Sequence, residues 1–151
     1  MNKRYDTTSA LVRYIAGVFS LVAFIMLFGT IIYTNSGINL KFAEVFFGTN
    51  DINAPHVYGF IGQVLILLGG IFGVLIPIFG VFTDKEKVLS FITGGVMILG
   101  ALLIVSIRVL YPVIEGATEF GNYHLYGTAI AAASLGAIAG IFNIWAAFIK
   151  E

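Results

Sequence analysis

The sequence predicts an all-α membrane protein, a bundle of four transmembrane helices, and three observations carry that reading. Hydrophobic residues fill 59% of the 151 positions and charged residues 11%, against about 25% charged in an ordinary soluble domain. Mean hydropathy is +0.99, more apolar surface than a chain of this size buries in one core. Charged and turn-forming residues collect in a few places and leave four apolar stretches. Each reaches the roughly 20 residues that cross a bilayer at about 1.5 Å rise per residue.

The spans read as about 14–33, 57–82, 88–111 and 125–149, within a single domain covering 1–151. Outer loops fall at about 34–56 and 112–124. The first span follows Lys3 and Arg4 as a signal peptide would. Its apolar run is longer than a signal core, however, and Tyr33-Thr34-Asn35-Ser36 is a poor cleavage site, so the segment is expected to stay in the membrane. Asp84-Lys85-Glu86-Lys87 separates the second and third spans so tightly that they form an antiparallel hairpin.

Lysine and arginine placement sets the orientation. Lys3, Arg4, Arg13, Lys85, Lys87 and Lys150 fall on one side of a four-span topology. The other side holds Lys41 and the border residue Arg108, against Glu44, Asp51, Glu115 and Glu119. Both termini are therefore expected in the cytoplasm, in a multi-pass plasma-membrane or inner-membrane protein. Eight basic and eight acidic residues give zero formal net charge, which argues against nucleic acid as a partner. Cysteine is absent, so disulfides, thiolate metal sites and a cysteine nucleophile are excluded.

The two outer loops echo each other. His56-Val57-Tyr58-Gly59 precedes the second span and His124-Leu125-Tyr126-Gly127 the fourth, and these are the two histidines of the chain. Gly70-Ile71-Phe72 is answered by Gly140-Ile141-Phe142. The echo reads as a two-helix unit used twice, related by a pseudo-twofold axis along the membrane normal.

Helix association in lipid depends on close packing of small residues. The second span offers Gly69 and Gly73 in a Gly-x-x-x-Gly spacing. The fourth offers Ala129, Ala133 and Ala137 along one line and Ala132, Gly136 and Gly140 along the next. These faces either pack the spans within one bundle or receive a second subunit. Pro77 predicts a kink near Gly73.

Polar residues at membrane depth are candidates for function. Arg108 reads as the one full charge inside a span. It either snorkels to the interface, pairs with Glu115 or Glu119, or contacts a lipid phosphate. Gln63 and Asn143 read as interhelical hydrogen-bonding residues. No carboxylate stands at mid-span, which counts against a proton-coupled transporter. His56 and His124 are the most specific chemical feature. As equivalent helix-start residues they could be interfacial partners of Tyr58 and Tyr126. They could also titrate near their ordinary pKa of about 6.5, or ligate haem or a metal with Glu44 or Glu119.

Ile38, Leu40 and Phe42 alternate with Asn39 and Lys41, so the first outer loop is expected to hold a short strand. No phosphate-binding loop, zinc-protease motif or serine-hydrolase motif occurs. Four spans with a longer first outer loop resemble the claudin-type tetraspan topology in outline. The claudin-type loop carries a tryptophan and a cysteine pair, whereas here the one tryptophan is Trp145 in the fourth span, and no family membership is inferred.

The functional expectation is a non-enzymatic structural or accessory subunit without a cofactor. Its partners are the lipid bilayer and other membrane subunits or copies of itself. The alternatives are a small oligomeric transporter or channel, and a bis-histidine haem or metal carrier or external pH sensor.

Overall fold

A computed structural model describes residues 7–48, 56–79, 86–114 and 123–149. Four long helices run through it: α1 (Thr7–Met26), α3 (Val57–Phe79), α4 (Glu86–Ile114) and α5 (Gly127–Ala146). All four are long and apolar enough to cross a membrane, consistent with a multi-pass membrane protein. A short helix, α2 (Phe42–Phe47), and three strands gather at one end as a cap. The strands are β1 (Thr30–Thr34), β2 (Asn39–Lys41) and β3 (Tyr123–Leu125).

The first span differs from expectation. Its helix keeps the 20-residue length but starts at Thr7 and ends at Met26, seven residues ahead of the predicted 14–33. A turn follows over 27–29, and Thr30-Ile31-Ile32-Tyr33-Thr34 then becomes a strand. Its β-branched and aromatic residues suit a pleated, half-buried surface, and two partner strands are available to take up its backbone groups. The fold is therefore helical with a small sheet rather than wholly α. The other spans agree with the structure to within a few residues at each end, where helices fray.

The helices pack in a ring, α1 on α3, α3 on α4, α4 on α5 and α5 back on α1. Three of those four seams are glycine crossings. A Cβ on Gly73 would stand 3.0 Å from the Cα of Gly17 on α1. One on Gly100 would stand 2.7 Å from the Gly62 carbonyl oxygen, and one on Gly94 2.6 Å from that of Gly140. At such distances backbones touch, which maximises dispersion contact where lipid supplies no hydrophobic drive. The fourth seam, α5 on α1, carries a hydroxyl bond: the Ser9 hydroxyl donates to the Ala146 carbonyl at 3.0 Å.

The small faces are thus consumed inside the chain. Gly69 meets Met97, Gly136 meets Ile66, and Ala129, Ala133 and Gly140 are buried, with Ala137 half-buried. Pro77 lies within α3, which continues to Phe79. Its ring removes the N–H that would have bonded the carbonyl of Gly73, a residue packed against Gly17 of α1.

In the cap, β1 is the central strand, in the order β2-β1-β3. The β1–β2 hairpin turns at Gly37, whose φ of +85° suits glycine, and the Gly37 N–H donates to the Thr34 carbonyl at 3.0 Å. The strand expected around 38–42 is β2. Register places Ile32 between Leu40 and Leu125, and Tyr33 between Asn39 and His124. The first row packs into the core with Phe46, Ile104, Ile107 and Tyr111; the second faces away.

Candidate functional site at the cap end

Two clusters form at the cap, one around each histidine. His56 precedes α3, and its N–H donates to the Val45 carbonyl of α2 at 3.0 Å. The ring is fully buried. It stacks on Tyr111 of α4 at 4.4 Å between centroids, with 30° between planes. A 3.1 Å hydrogen bond joins its Nδ1 to the Tyr58 hydroxyl. One turn on, Gly59 leaves room for the Phe46 ring, which a Cβ would meet at 2.5 Å. His56 therefore welds α2, α3 and α4 together. Its chemistry is used up in packing and hydrogen bonding.

His124 sits on β3 and is half-exposed. Its ring stacks on Tyr33 of the neighbouring strand at 5.1 Å and 29°. Its Nε2–H donates to the Asn35 side-chain carbonyl at 3.0 Å, which fixes the ring's orientation. Tyr126 sets its ring edge-on to Tyr33 at 6.2 Å and 81°. Tyr33 and Tyr126 each remain 39% exposed. With Asn39 exposed on β2, the outward surface is a wet patch of aromatic rings and amides.

The structure does not bring the two histidines together as a ligand pair. Each is held by its own partners, because the two His-x-Tyr-Gly segments fold differently: a helix starts at Val57 directly after His56, whereas His124 and Leu125 lie in a strand and the helix starts at Gly127. Glu44, the expected third ligand, instead accepts the Lys41 N–H at 2.8 Å and caps α2. Among the described residues no group of three potential metal-binding side chains occurs.

Arg108 is exposed on α4, flanked by exposed Val105 and Val109; Glu115 and Glu119 lie outside the described residues. The interhelical roles expected of Gln63 and Asn143 are seen. Gln63 is buried with its Nε2 3.5 Å from the Phe24 carbonyl. Its Oε1 has no hydrogen-bond partner among the described residues. Asn143 donates from Nδ2 to the Met97 sulfur at 3.8 Å.

Sequence reading missed a second arginine within a candidate span. Arg13, placed before the first span, lies inside α1 with 4% exposure. Its Nε donates to the Ser90 hydroxyl of α4 at 2.6 Å, linking two helices that otherwise scarcely touch. The missed signal was the polar run Thr7-Thr8-Ser9, which opens a helix as readily as it ends a tail. Ser20 likewise donates to the Ile66 carbonyl at 2.7 Å. Comparison with family models, with curated proteins and with solved structures finds no match to this chain.

Proposed function

We propose that this chain is a non-enzymatic structural or accessory subunit, with its cap as the working surface and both termini in the cytoplasm. The orientation rests on the basic residues near the cap-distal ends of the helices, Arg13 and Lys87 among those described, with Lys3, Arg4, Lys85 and Lys150 beyond them. Arg13 is inside a helix but at the same end, so the bias stands.

The observation that carries the reading is the cap itself. Segments on either side of the α3–α4 hairpin join in one sheet, and His56 and Phe46 bind α2 onto the helices beneath. A rigid platform on so small a chain is costly unless it is recognised, and it exposes Ile38, Phe47, Tyr33 and Tyr126. Exposed apolar and tyrosine-rich surface of this kind suits a protein partner. Ile66, Met97 and Ile104 are fully buried between the helices, which supports a packed stalk over a conducting path through one chain. The partner is another membrane subunit or a second copy. It meets the cap, since the glycine and alanine faces are occupied.

The test is the mass and composition of the particle released from its native membrane by gentle detergent. A stable particle containing other proteins supports the reading. A lone monomer would sink it.

A further inference from the structure

We propose that a recess between α1 and α5, near their cap-distal ends, holds an acyl chain of an anionic phospholipid. The inference goes beyond the accessory-subunit reading and does not rest on it. Its premise is that the two helices cross a bilayer.

Val12 and Ile15 stand three apart on α1, and Phe142 and Trp145 three apart on α5, so each pair shares one helix face. Together they line a recess of about 90 Å³ with wholly apolar walls. The seam is fixed near the helix ends by the Ser9–Ala146 hydrogen bond and, deeper, by Ala16 and Ala139 packed with Phe142. The Phe142 and Trp145 rings pack with centroids 6.3 Å apart, so one wall is set before anything enters. Ile15 and Trp145 are 38% and 54% exposed, so the recess opens away from the bundle core.

What fills the recess follows from its walls. Water needs polar partners that these walls do not supply. An empty void would forfeit dispersion contact along its lining. A partner helix is a poor fit, because helices in lipid close on small residues. Those of this seam, Ala16, Ala139 and Ala146, are buried already, while Leu11 and Tyr14, next to Val12 and Ile15 in sequence, stand out exposed. An acyl chain is thin and flexible, and the bilayer around a span supplies it.

Depth and charge choose the lipid. At about 1.5 Å per residue, Val12 and Ile15 lie roughly 8 to 12 Å inside the first residue of α1, whereas Trp145 is one residue from the end of α5. The recess thus runs from the headgroup boundary, where tryptophan is favoured, into the upper hydrocarbon. The indole N–H can donate to a lipid ester carbonyl there. Lys3, Arg4 and Lys150 flank the two helices in sequence, against Asp6 and Glu151. With Arg13, Lys85 and Lys87 added, and Asp84 and Glu86, the cap-distal end carries a net charge of +2. At the cap end Lys41 and Arg108, against Glu44, Asp51, Glu115 and Glu119, leave −2. The recess therefore lies at the positive end, which favours an anionic headgroup.

Trp145 is the one tryptophan of the chain, so its fluorescence reports on the recess alone. The test places the full chain in nanodiscs of phosphatidylcholine. Bromine-labelled phosphatidylglycerol or bromine-labelled phosphatidylcholine then replaces the unlabelled lipid in steps. Quenching by the anionic lipid should reach half its maximum at a mole fraction about fivefold lower. Val12→Phe, which fills the recess, should bring the two lipids to parity. Arg4→Gln combined with Lys150→Gln should do the same and leaves the walls in place, so it tests the proposal even where Val12→Phe fails to fold. Equal quenching in the parent chain would overturn the proposal and leave ordinary boundary lipid. A preference kept by either folded variant would overturn it too. So would a Trp145 that neither lipid quenches, the sign that protein covers the recess.

Discussion

His56-Val57-Tyr58-Gly59 and His124-Leu125-Tyr126-Gly127 are nearly the same words in two different sentences. In the first, the tyrosine hydroxyl turns back to its own histidine and the imidazole is sealed against Tyr111. In the second, tyrosine and histidine both turn to Tyr33 on another strand and stay wet. The glycines diverge as well. Gly59 seats Phe46, whereas a Cβ on Gly127 would meet nothing within 4 Å. The difference comes from what the rest of the chain lays on each segment, α2 over the first and β1 beside the second. Likeness of a short motif reports on local preference and not on role.

That contrast makes graded predictions, each read as a shift in equilibrium unfolding in mixed micelles. His56→Ala should cost about 3 kcal/mol, since it empties a buried ring site, while His124→Ala should cost about 0.5 kcal/mol, the worth of an exposed stack. Equal losses would erase the distinction between weld and platform. Gly59→Ala should cost about 2 kcal/mol through overpacking against Phe46 and Ile107, and Gly127→Ala should stay within about 0.5 kcal/mol of the parent. The two arginines give a parallel pair at opposite ends of the helices. Arg13→Met should lose about 2 kcal/mol with the buried, charged hydrogen bond to Ser90, and Arg108→Met should change stability little. Smallest is the hydroxyl test, in which Tyr58→Phe should lose about 1 kcal/mol and Tyr126→Phe nothing resolvable. A larger effect at Tyr126 would mean that the cap's exposed rings hold the fold together.

The four helices were legible because length and hydropathy alone specify them. The start of the first was not. Leu27 to Tyr33 is as apolar as the helix before it, so a hydropathy reading slides across Gly29 without noticing the change of period. What ends the helix is pairing of β1 with β3, and the sequence near β1 does not display it. Arg13 was misplaced for the same reason, because a charge looks like a boundary until its buried partner, Ser90, is known. The strand at Asn39–Lys41 was readable from its alternation. The row it shares with Tyr33 and His124 was not, since a row across a sheet exists only once three separate segments are in register. The small-residue faces were recognised as packing surfaces, but which helix each would meet depended on the ring order.

The sheet order also has a consequence for synthesis. Asn35 and His124 are hydrogen-bonded across 89 residues of sequence, and β3 is made only after the α3–α4 hairpin is complete. At 5–20 residues per second, β1 waits roughly 5 to 20 s for the strand that completes the sheet. For that interval one of its edges is an unpaired template, open to any extended chain nearby. Closure by β3 removes that hazard, and the finished sheet can form only in molecules whose synthesis has reached the threshold of the last helix. The finished cap is therefore a surface that half-made chains do not present.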